Sequence, residues 1–356
     1  MRLHAEGFAA GWPRPRFLTA RFAGPLAFSG SGWRWWLADE DAQVPARLFD
    51  RFLLEGDPAG VTLLRERAEK DKSRRIYRLV PPERPDVPGY FVKQMTLIPR
   101  KRLGALLGCS SPQVGMSHGT AELAHNLALS ERTAHGVRTF AFGEYFRCGL
   151  PARQVLLQEY LAGWQGFSDV WLQHEDDAAR RRALLWQLMD VLAALREAGI
   201  CHLDLHPGNL MVSPDPRAPL RVIDCGQMCM DADPAVSAAL HLGVFLHELN
   251  GKRTSPSPRL AQAACQLLQR LAGSDAGLDG AGRLLPLLVG YSTKKPFSRR
   301  RLLGRDGLDP VALEKRLQKL AQERPPSHRA SGAPALGEQR ERRLIASIED
   351  MLATPR

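Results

Sequence analysis

One short segment constrains the fold of this chain more than any other. It reads HLDLHPGN, residues 202–209, and Asp224-Cys225-Gly226 follows it at an interval of twenty residues from Asp204. Two strand-like runs, residues 210–212 and 221–223, lie in between and predict a β-hairpin. A carboxylate-bearing loop, a hairpin and an Asp-x-Gly turn in this order predict two functional loops joined by a short sheet.

These residue types match the requirements of phosphoryl transfer. That chemistry needs a carboxylate to orient the attacking hydroxyl, oxygen ligands for Mg²⁺ and a cation for the phosphates. Asp204 is the predicted catalytic base, and Asn209 and Asp224 are the predicted metal ligands, at the spacing of the kinase HxDxxxxN and Asp-x-Gly loops. The alternative is a structural turn in which Asp caps and Asn adopts a left-handed conformation. The hairpin and the second aspartate favour the functional interpretation.

A lysine upstream completes the predicted site. Lys93 lies in the strand-like run 90–95, where a kinase lysine contacts nucleotide phosphates, and Glu122 on the following predicted helix is its expected ion-pair partner. Glu131 on the same helix is the competing acid, and a solvated strand lysine is the structural alternative for Lys93. The chain has no GxGxxG segment before these strands, and the basic run 70–75 stands in that place. We therefore predict ATP and Mg²⁺ as cofactors without assigning the loop that covers the phosphates.

Hydrophobic patterning divides the chain into four parts. Residues 1–65 predict an extension packed on the first lobe, and residues 66–160 predict the order strand, strand, helix, strand, strand. Residues 161–322 read as a helical lobe that carries the catalytic and metal loops. Residues 323–356 predict a flexible basic tail with a short terminal helix over residues 342–352. The predicted fold class is α+β, bilobal and protein-kinase-like, with a small β-rich N-lobe and a mostly helical C-lobe.

Composition and charge narrow the range of possible binding partners and the cellular location. The chain has 356 residues and a net charge of +11, which favours an anionic partner such as nucleic acid, acidic lipid or a phosphorylated substrate. It has no uncharged apolar run of membrane-spanning length and no secretory signal at Met1, so we expect a cytoplasmic protein. Its six cysteines show no disulfide spacing and predict buried, reduced thiols. The basic clusters lack interleaved aromatic residues, so we expect no nucleic-acid binding.

In the order of its motifs the chain resembles the bacterial lipopolysaccharide kinases, which phosphorylate heptose or Kdo sugars of the inner core. The resemblance runs from Lys70 to Asp224. Its segments, in order, are KDKSRRIYRL, YFVKQM, RKRLGALLG, AELAHNLALSERTAHGVRTFAFGE, LLQEYLAGW, HLDLHPGN and IDCG. It implies an ATP- and Mg²⁺-dependent sugar kinase peripheral to the cytoplasmic face of the inner membrane. The core glycolipid would be the acceptor, and Lys93, Glu122, Asp204, Asn209 and Asp224 would have the roles given above.

Two features leave other acceptors open. The HPGN ending at residues 206–209 is closer to aminoglycoside and choline phosphotransferases, and Cys225 stands where many kinases have Phe. A small soluble alcohol and a protein hydroxyl therefore remain alternative acceptors, and a non-catalytic pseudokinase adaptor is the alternative from another class. The clusters at residues 100–102, 180–182 and 299–301 would suit a phosphate-bearing glycolipid or an anionic leaflet. Nothing in the sequence predicts an oligomeric state.

Overall fold

A computed structural model describes most of the chain and divides it into two compact units. Unit 1 comprises residues 1–131 and 136–163, and unit 2 comprises residues 132–135 and 164–356. The described residues are 25–26, 32–38, 40–56, 58–69, 72–83, 85–97, 118–148, 150–230, 232–253, 256–272, 278–290, 303–304, 307–308, 310–323 and 334–354.

Unit 1 is built on a seven-stranded antiparallel sheet with the strand order β1-β2-β6-β7-β5-β4-β3. The predicted order of strand, strand, helix, strand, strand is confirmed by β4, β5, α2, β6 and β7. The elements are β1 Pro25–Leu26, β2 Trp33–Leu37, α1 Gln43–Glu55, β3 Val61–Glu69, β4 Lys72–Leu79, β5 Tyr90–Thr96, α2 His118–Arg132, β6 Thr139–Arg147 and β7 Leu150–Glu159.

Alternation along the strands gives this sheet two apolar faces. Trp35, Val92 and Leu157 join one buried cluster with Phe49 of α1, whereas Phe142 and Leu156 of the strands pack with Leu123 of α2. Because successive side chains of a strand point to opposite faces, the two clusters lie on opposite sides of the sheet.

Residues 1–65 are not simply an extension laid on this lobe. The β2 strand pairs with β6 and the β3 strand pairs with β4, so both belong to the sheet itself. Their sequences misled the prediction because Trp-rich and charged strands do not show a clean polar-apolar alternation.

Unit 2 is mainly helical, as predicted. Asp177 caps α4 by accepting from the Arg180 amide, and Asp233 caps α5 by accepting from the Val236 amide. The elements are β8 Gln165–Gly166, α3 Phe167–Gln173, α4 Ala178–Glu197, β9 Ile200–His202, β10 Leu210–Val212, β11 Arg221–Val222, β12 Met228–Met230, α5 Pro234–Leu249, α6 Pro258–Ala272, α7 Leu278–Gly290, β13 Leu303–Gly304, β14 Gly307–Leu308, α8 Pro310–Glu323 and α9 Pro334–Ala353.

The C-terminal segment contains the predicted terminal helix, which is longer than residues 342–352, whereas residues 324–333 of the predicted flexible tail lie outside the described residues. Helix α9 has 20 residues, and Leu344, Ile348 and Met351 on it are buried. Arg259 of α6 forms two hydrogen bonds with Glu349, at 2.9 and 2.8 Å. A polar sequence that contains Pro and Gly predicts flexibility. In this helix, however, apolar residues spaced three and four positions apart bury one face.

The basic cluster at residues 180–182 is largely used inside the fold. The Arg181 guanidinium lies 4.2 Å from the centroid of the Trp171 ring, and Arg182 donates to Asp350 at 2.8 Å. These contacts leave Arg181 and Arg182 less available to the phosphate-bearing glycolipid or anionic leaflet that the cluster was expected to suit. Residues 100–102 and 299–301 lie outside the described residues. Among the helices that the structure describes, none is both long and apolar enough to cross a membrane.

Candidate active site

The predicted lysine and glutamate meet in unit 1. Lys93 Nζ on β5 lies 2.5 Å from Glu122 Oε1 on α2, and both side chains are about 95% buried. The second carboxylate oxygen of Glu122 is also buried, with no hydrogen bond in the described part of the chain. A buried ion pair is retained at the expense of desolvating two charges. Glu122 rather than Glu131 is therefore the partner of Lys93, as predicted.

A second buried polar pair lies on the same face of the sheet as Lys93. Gln154 Nε2 on β7 donates to Glu144 Oε1 on β6 at 2.7 Å, and both side chains are buried. Helix α2 starts against this pair: a Cβ added to Gly119 would lie 2.4 Å from Gln154 Oε1. The absence of a side chain at Gly119 thus allows the close approach that sets the start of the helix carrying Glu122.

In unit 2 the catalytic loop is held between two small sheets. Before the loop, β9 pairs with β12, and after it β10 pairs with β11, with Leu210 opposite Val222. The Ile223 amide donates to the Asn209 carbonyl at 2.9 Å, and the Leu203 amide donates to the Gln227 carbonyl at 3.0 Å. These bonds place the residue after Ile223, Asp224, beside the end of the loop.

Asp204 and Asn209 are linked directly. Asn209 Nδ2 donates to the Asp204 carbonyl at 2.9 Å. Because the amide nitrogen is used in that bond, the Asn209 side-chain oxygen is the atom left to accept a ligand. Asp204 is partly exposed, which the predicted role of a base would require.

Asp224 adopts a backbone conformation that is rare for its residue type. Its φ is +58°, in the left-handed region, and the residue is exposed. Such conformations cost of order 1 kcal/mol or more and concentrate at functional sites. The amide oxygen of Asn209 and the carboxylate of Asp224 are hard oxygen donors of the kind that Mg²⁺ prefers. The two residues therefore have the donor types that would suit Mg²⁺, and within the described ranges no cluster of three or more His, Cys, Asp or Glu residues could hold a metal.

Two histidines fix the start of the loop. The His202 amide donates to Nε2 of His241 on α5 at 2.8 Å, and the Asp204 amide donates to Nδ1 of His202 at 3.1 Å. Complete burial, with a smaller contribution from His202, lowers the pKa of His241 to about 3. His241 is therefore neutral at physiological pH, and its unprotonated nitrogen is the acceptor that anchors the loop.

The thiols in this region are structural. Cys201 and Cys229 face each other across β9 and β12, and both are buried. Burial raises the pKa of Cys201 to about 12, so it stays protonated. Of the described cysteines, 201, 225 and 229 are buried, as predicted, whereas Cys265 is partly exposed and Cys148 is exposed.

Sequence reasoning missed two histidines of the site. His206 accepts a hydrogen bond from the Gly208 amide at 3.1 Å and caps the 3₁₀ turn 207–209, although HPGN was noted only for its family pattern. His241 lies among apolar residues of α5, and a polar residue buried in such a helix is the signal that could have identified it.

Part of the chain is similar to known proteins. Residues 121–272, less than half of the chain, match the model of a family described as "Phosphotransferase enzyme family" (APH). The matched segment includes Glu122, Asp204, Asn209 and Asp224, whereas Lys93 precedes it. No curated protein matches the chain. A solved structure titled "WaaP in complex with acyl carrier protein" is similar at 20% identity and a TM-score of 0.37, over 73% of this chain and 88% of that one.

Several sequence predictions are therefore confirmed. The β-sheet unit and the helical unit have the mixed architecture of the protein-kinase-like fold, and the chain is an ATP-dependent kinase. The structure brings Lys93 to Glu122 within unit 1, and within unit 2 it links Asn209 to Asp204 and to Ile223, the residue before Asp224. The acceptor and the roles of the individual residues belong to the proposal that follows.

Proposed function

We propose that this kinase phosphorylates a sugar hydroxyl of the lipopolysaccharide inner core, heptose or Kdo, with Asp204 as the base. Two hydrogen bonds support the phosphotransfer part of this proposal. Asn209 Nδ2 donates to the Asp204 carbonyl at 2.9 Å, and the amide of Ile223, the residue before Asp224, donates to the Asn209 carbonyl. A turn without catalytic function has no need to hold two carboxylates and an amide oxygen at one end of a hairpin.

Asp204 would act on the acceptor. Its carboxylate would accept the proton of the attacking hydroxyl while the acceptor oxygen bonds to the γ-phosphorus and the bond to the β-phosphate oxygen breaks, releasing ADP. The loop is suited to this because its main chain is fixed at both ends, by His241 through His202 and by Asn209. Holding the base in place before the substrate arrives lowers the entropic cost of reaching the reactive geometry.

Asn209 and Asp224 would hold Mg²⁺. When bound, the ion neutralises charge on the phosphate oxygens. The chain's own contribution is to present the Asn209 oxygen, through the bond that its nitrogen donates, and the Asp224 carboxylate, through the left-handed backbone. Main-chain geometry therefore contributes to the orientation of both groups.

Lys93 would bind the phosphates of ATP, with Glu122 holding its ammonium group. Its near-complete burial supports this role, because a solvated strand lysine would not be desolvated against a carboxylate. Lys70 and Asp71, in the basic run that replaces a glycine-rich loop, lie outside the described residues.

The acceptor class rests on the ordered resemblance from Lys70 to Asp224 to lipopolysaccharide kinases. The resemblance also implies contact with the core glycolipid and a peripheral position on an anionic membrane surface. With two arginines of residues 180–182 engaged internally, the sequence clusters at 100–102 and 299–301 are left as candidates for that contact.

A small soluble alcohol is the second candidate acceptor. It is favoured by the description of the matched family as phosphotransferases and by the His206-Pro207-Gly208-Asn209 ending of the loop. The pseudokinase alternative is disfavoured because Lys93, Asp204, Asn209 and Asp224 are all present.

Transfer of labelled phosphate from ATP tests the acceptor. Purified core oligosaccharide should be labelled, whereas aminoglycosides, choline and generic protein acceptors should not. Mass spectrometry of core oligosaccharide from cells with and without this protein should show one phosphate lost at a defined sugar. Labelling of only the soluble alcohols or proteins would reject the lipopolysaccharide acceptor, and no labelling of any acceptor would favour the adaptor.

A further inference from the structure

The ring of His206 makes a different contact with each of its two nitrogens. Nδ1 accepts from the Gly208 amide at 3.1 Å, and Nε2 lies 3.8 Å from Asp204 Oδ1. Both side chains are about one-fifth exposed. The ring thus stands between the 3₁₀ turn that ends the loop and the carboxylate proposed to be the base.

The contact with Gly208 determines where the ring carries its proton. A nitrogen that accepts an N–H bond has no hydrogen, so the neutral ring carries its proton on Nε2. A proton on Nδ1 would place two donors face to face. The only hydrogen on a ring nitrogen therefore points from Nε2, the atom nearer Asp204.

The turn holds the ring in this orientation. A Cβ added to Gly208 would lie 3.0 Å from His206 Cε1 and 3.1 Å from Nδ1, which is closer than the ring tolerates without shifting. Pro207 occupies the first position of the turn, where its fixed φ and missing N–H are favourable. HPGN is therefore a capped turn that orients an imidazole.

We propose that His206 is a positioning residue for Asp204: the Nε2–H group orients the carboxylate toward the acceptor hydroxyl. His202 and Asn209 hold the main chain of Asp204, whereas His206 Nε2 lies 3.8 Å from its carboxylate and acts on the rotation of that group. Catalytic hydrogen bonds are often long before substrate binds, and a small rotation of Asp204 closes the 3.8 Å separation. The inference rests on the proposed role of Asp204 as the base.

Two substitutions separate the contributions of the two ring nitrogens of His206. In His206→Asn the amide oxygen can replace Nδ1 as the cap, but no donor occupies the position of Nε2. In His206→Gln the longer side chain brings an amide N–H near the position of Nε2, but the cap is lost. His206→Ala lacks both groups and serves as the reference.

Activity is measured as ADP release from ATP by the full chain, first with water as the acceptor and then with core oligosaccharide. Stability is measured separately as the melting temperature. We expect His206→Asn to keep the melting temperature while kcat falls about 10- to 100-fold and KM for ATP is unchanged. We expect His206→Gln to lose about 2–4 °C but to have a higher kcat than His206→Asn. An unchanged kcat in His206→Asn, or a kcat in His206→Gln no higher than in His206→Asn, would overturn the proposal.

Asp204→Asn distinguishes this inference from the function on which it rests. If His206 acts through Asp204, adding His206→Asn to Asp204→Asn should lower the residual rate by less than twofold. A further loss equal to that of the single variant would show that His206 acts independently. Full activity of Asp204→Asn would reject the base itself, whereas an inactive Asp204→Asn with a fully active His206→Asn would reject only the positioning role.

Discussion

The ion pair in unit 1 and the catalytic loop in unit 2 are built in opposite ways. Lys93 and Glu122 are 29 residues apart, come from a strand and a helix, and are almost fully buried. Asp204 is partly exposed and Asn209 is buried; they are five residues apart and joined by a side-chain to main-chain bond. The pair depends on packing of the whole sheet, whereas the loop depends on local hydrogen bonds.

This difference predicts which property a substitution in each region changes first. A charge buried at a packed interface is tolerated only while its partner is present, so substitutions there should first lower the free energy of unfolding. A carboxylate in a locally bonded loop retains water on one side, so changes there should appear first as lost rate. The following experiments test that division, from the largest expected effect to the smallest.

Asp204→Ala should abolish phosphate transfer while leaving ATP binding largely intact. The expected loss in kcat is about 10²–10⁴-fold, the usual contribution of a positioned base. Single-turnover transfer and calorimetric titration with ATP measure the two quantities. Unchanged transfer would show that another residue is the base, and a large loss of stability would contradict the division between the regions.

Lys93→Met should destabilise the protein by about 3–5 kcal/mol, because it leaves the Glu122 carboxylate buried without its counter-charge. Urea unfolding followed by circular dichroism measures the change in the free energy of unfolding. The control is the double variant Lys93→Met with Glu122→Leu, which removes both charges and should recover most of that stability without recovering ATP binding. Equal instability of the single and double variants would mean that the charge itself is not the cause.

His241→Leu should cost about 1–3 kcal/mol, because the buried His202 amide then has no acceptor. His241→Gln is the matched variant, since its amide oxygen can occupy the place of Nε2. Unfolding in urea at pH 7.5 measures the free energy of unfolding of both variants. Equal stability of His241→Leu and the wild type would show that this hydrogen bond does not contribute to stability.

The same histidine should make stability depend on pH. The pKa of His241 is about 3 in the folded protein, whereas unfolded histidine titrates near its ordinary value of about 6.5. Below that value the unfolded state binds one more proton, so falling pH lowers the stability by up to about 1.4 kcal/mol per unit until about pH 3. Burial also lowers the pKa of His135 and His247, so the comparison is wild type minus His241→Gln. A difference that does not change between pH 7 and 5 would contradict the assignment.

Alanine substitutions at two glycines, one in each region, compare how much stability the two regions lose. Gly119→Ala would bring a Cβ within 2.4 Å of the hydrogen-bonded Gln154 side chain, and we expect a loss of about 1–3 kcal/mol. Gly208→Ala would meet the His206 ring at 3.0 Å, and we expect about 1 kcal/mol because a partly exposed ring can move. Unfolding in urea measures both, and a larger cost at Gly208 would reverse the proposed division.

Much of the loop was predictable. The positions of Asp204, Asn209 and Asp224 and the hairpin between residues 210 and 222 follow from contiguous motifs, and the paired strands confirm the hairpin. The places of β3 in the sheet and of α9 on the helical unit were not predictable, because charged strands and polar helices lack a clean pattern. The roles of His206 and His241 were also missed, because both depend on which ring nitrogen meets which amide.

The sequence by itself determined the chemistry of the loop, because its contacts join residues within about twenty positions and its residue types suit phosphoryl transfer. Only the tertiary structure decided that Glu122 rather than Glu131 meets Lys93, that Arg181 and Arg182 are engaged, and that His241 anchors the loop. The physical reason is that these contacts join side chains on separate elements, and their partners are set by how helices and strands pack rather than by spacing along the chain.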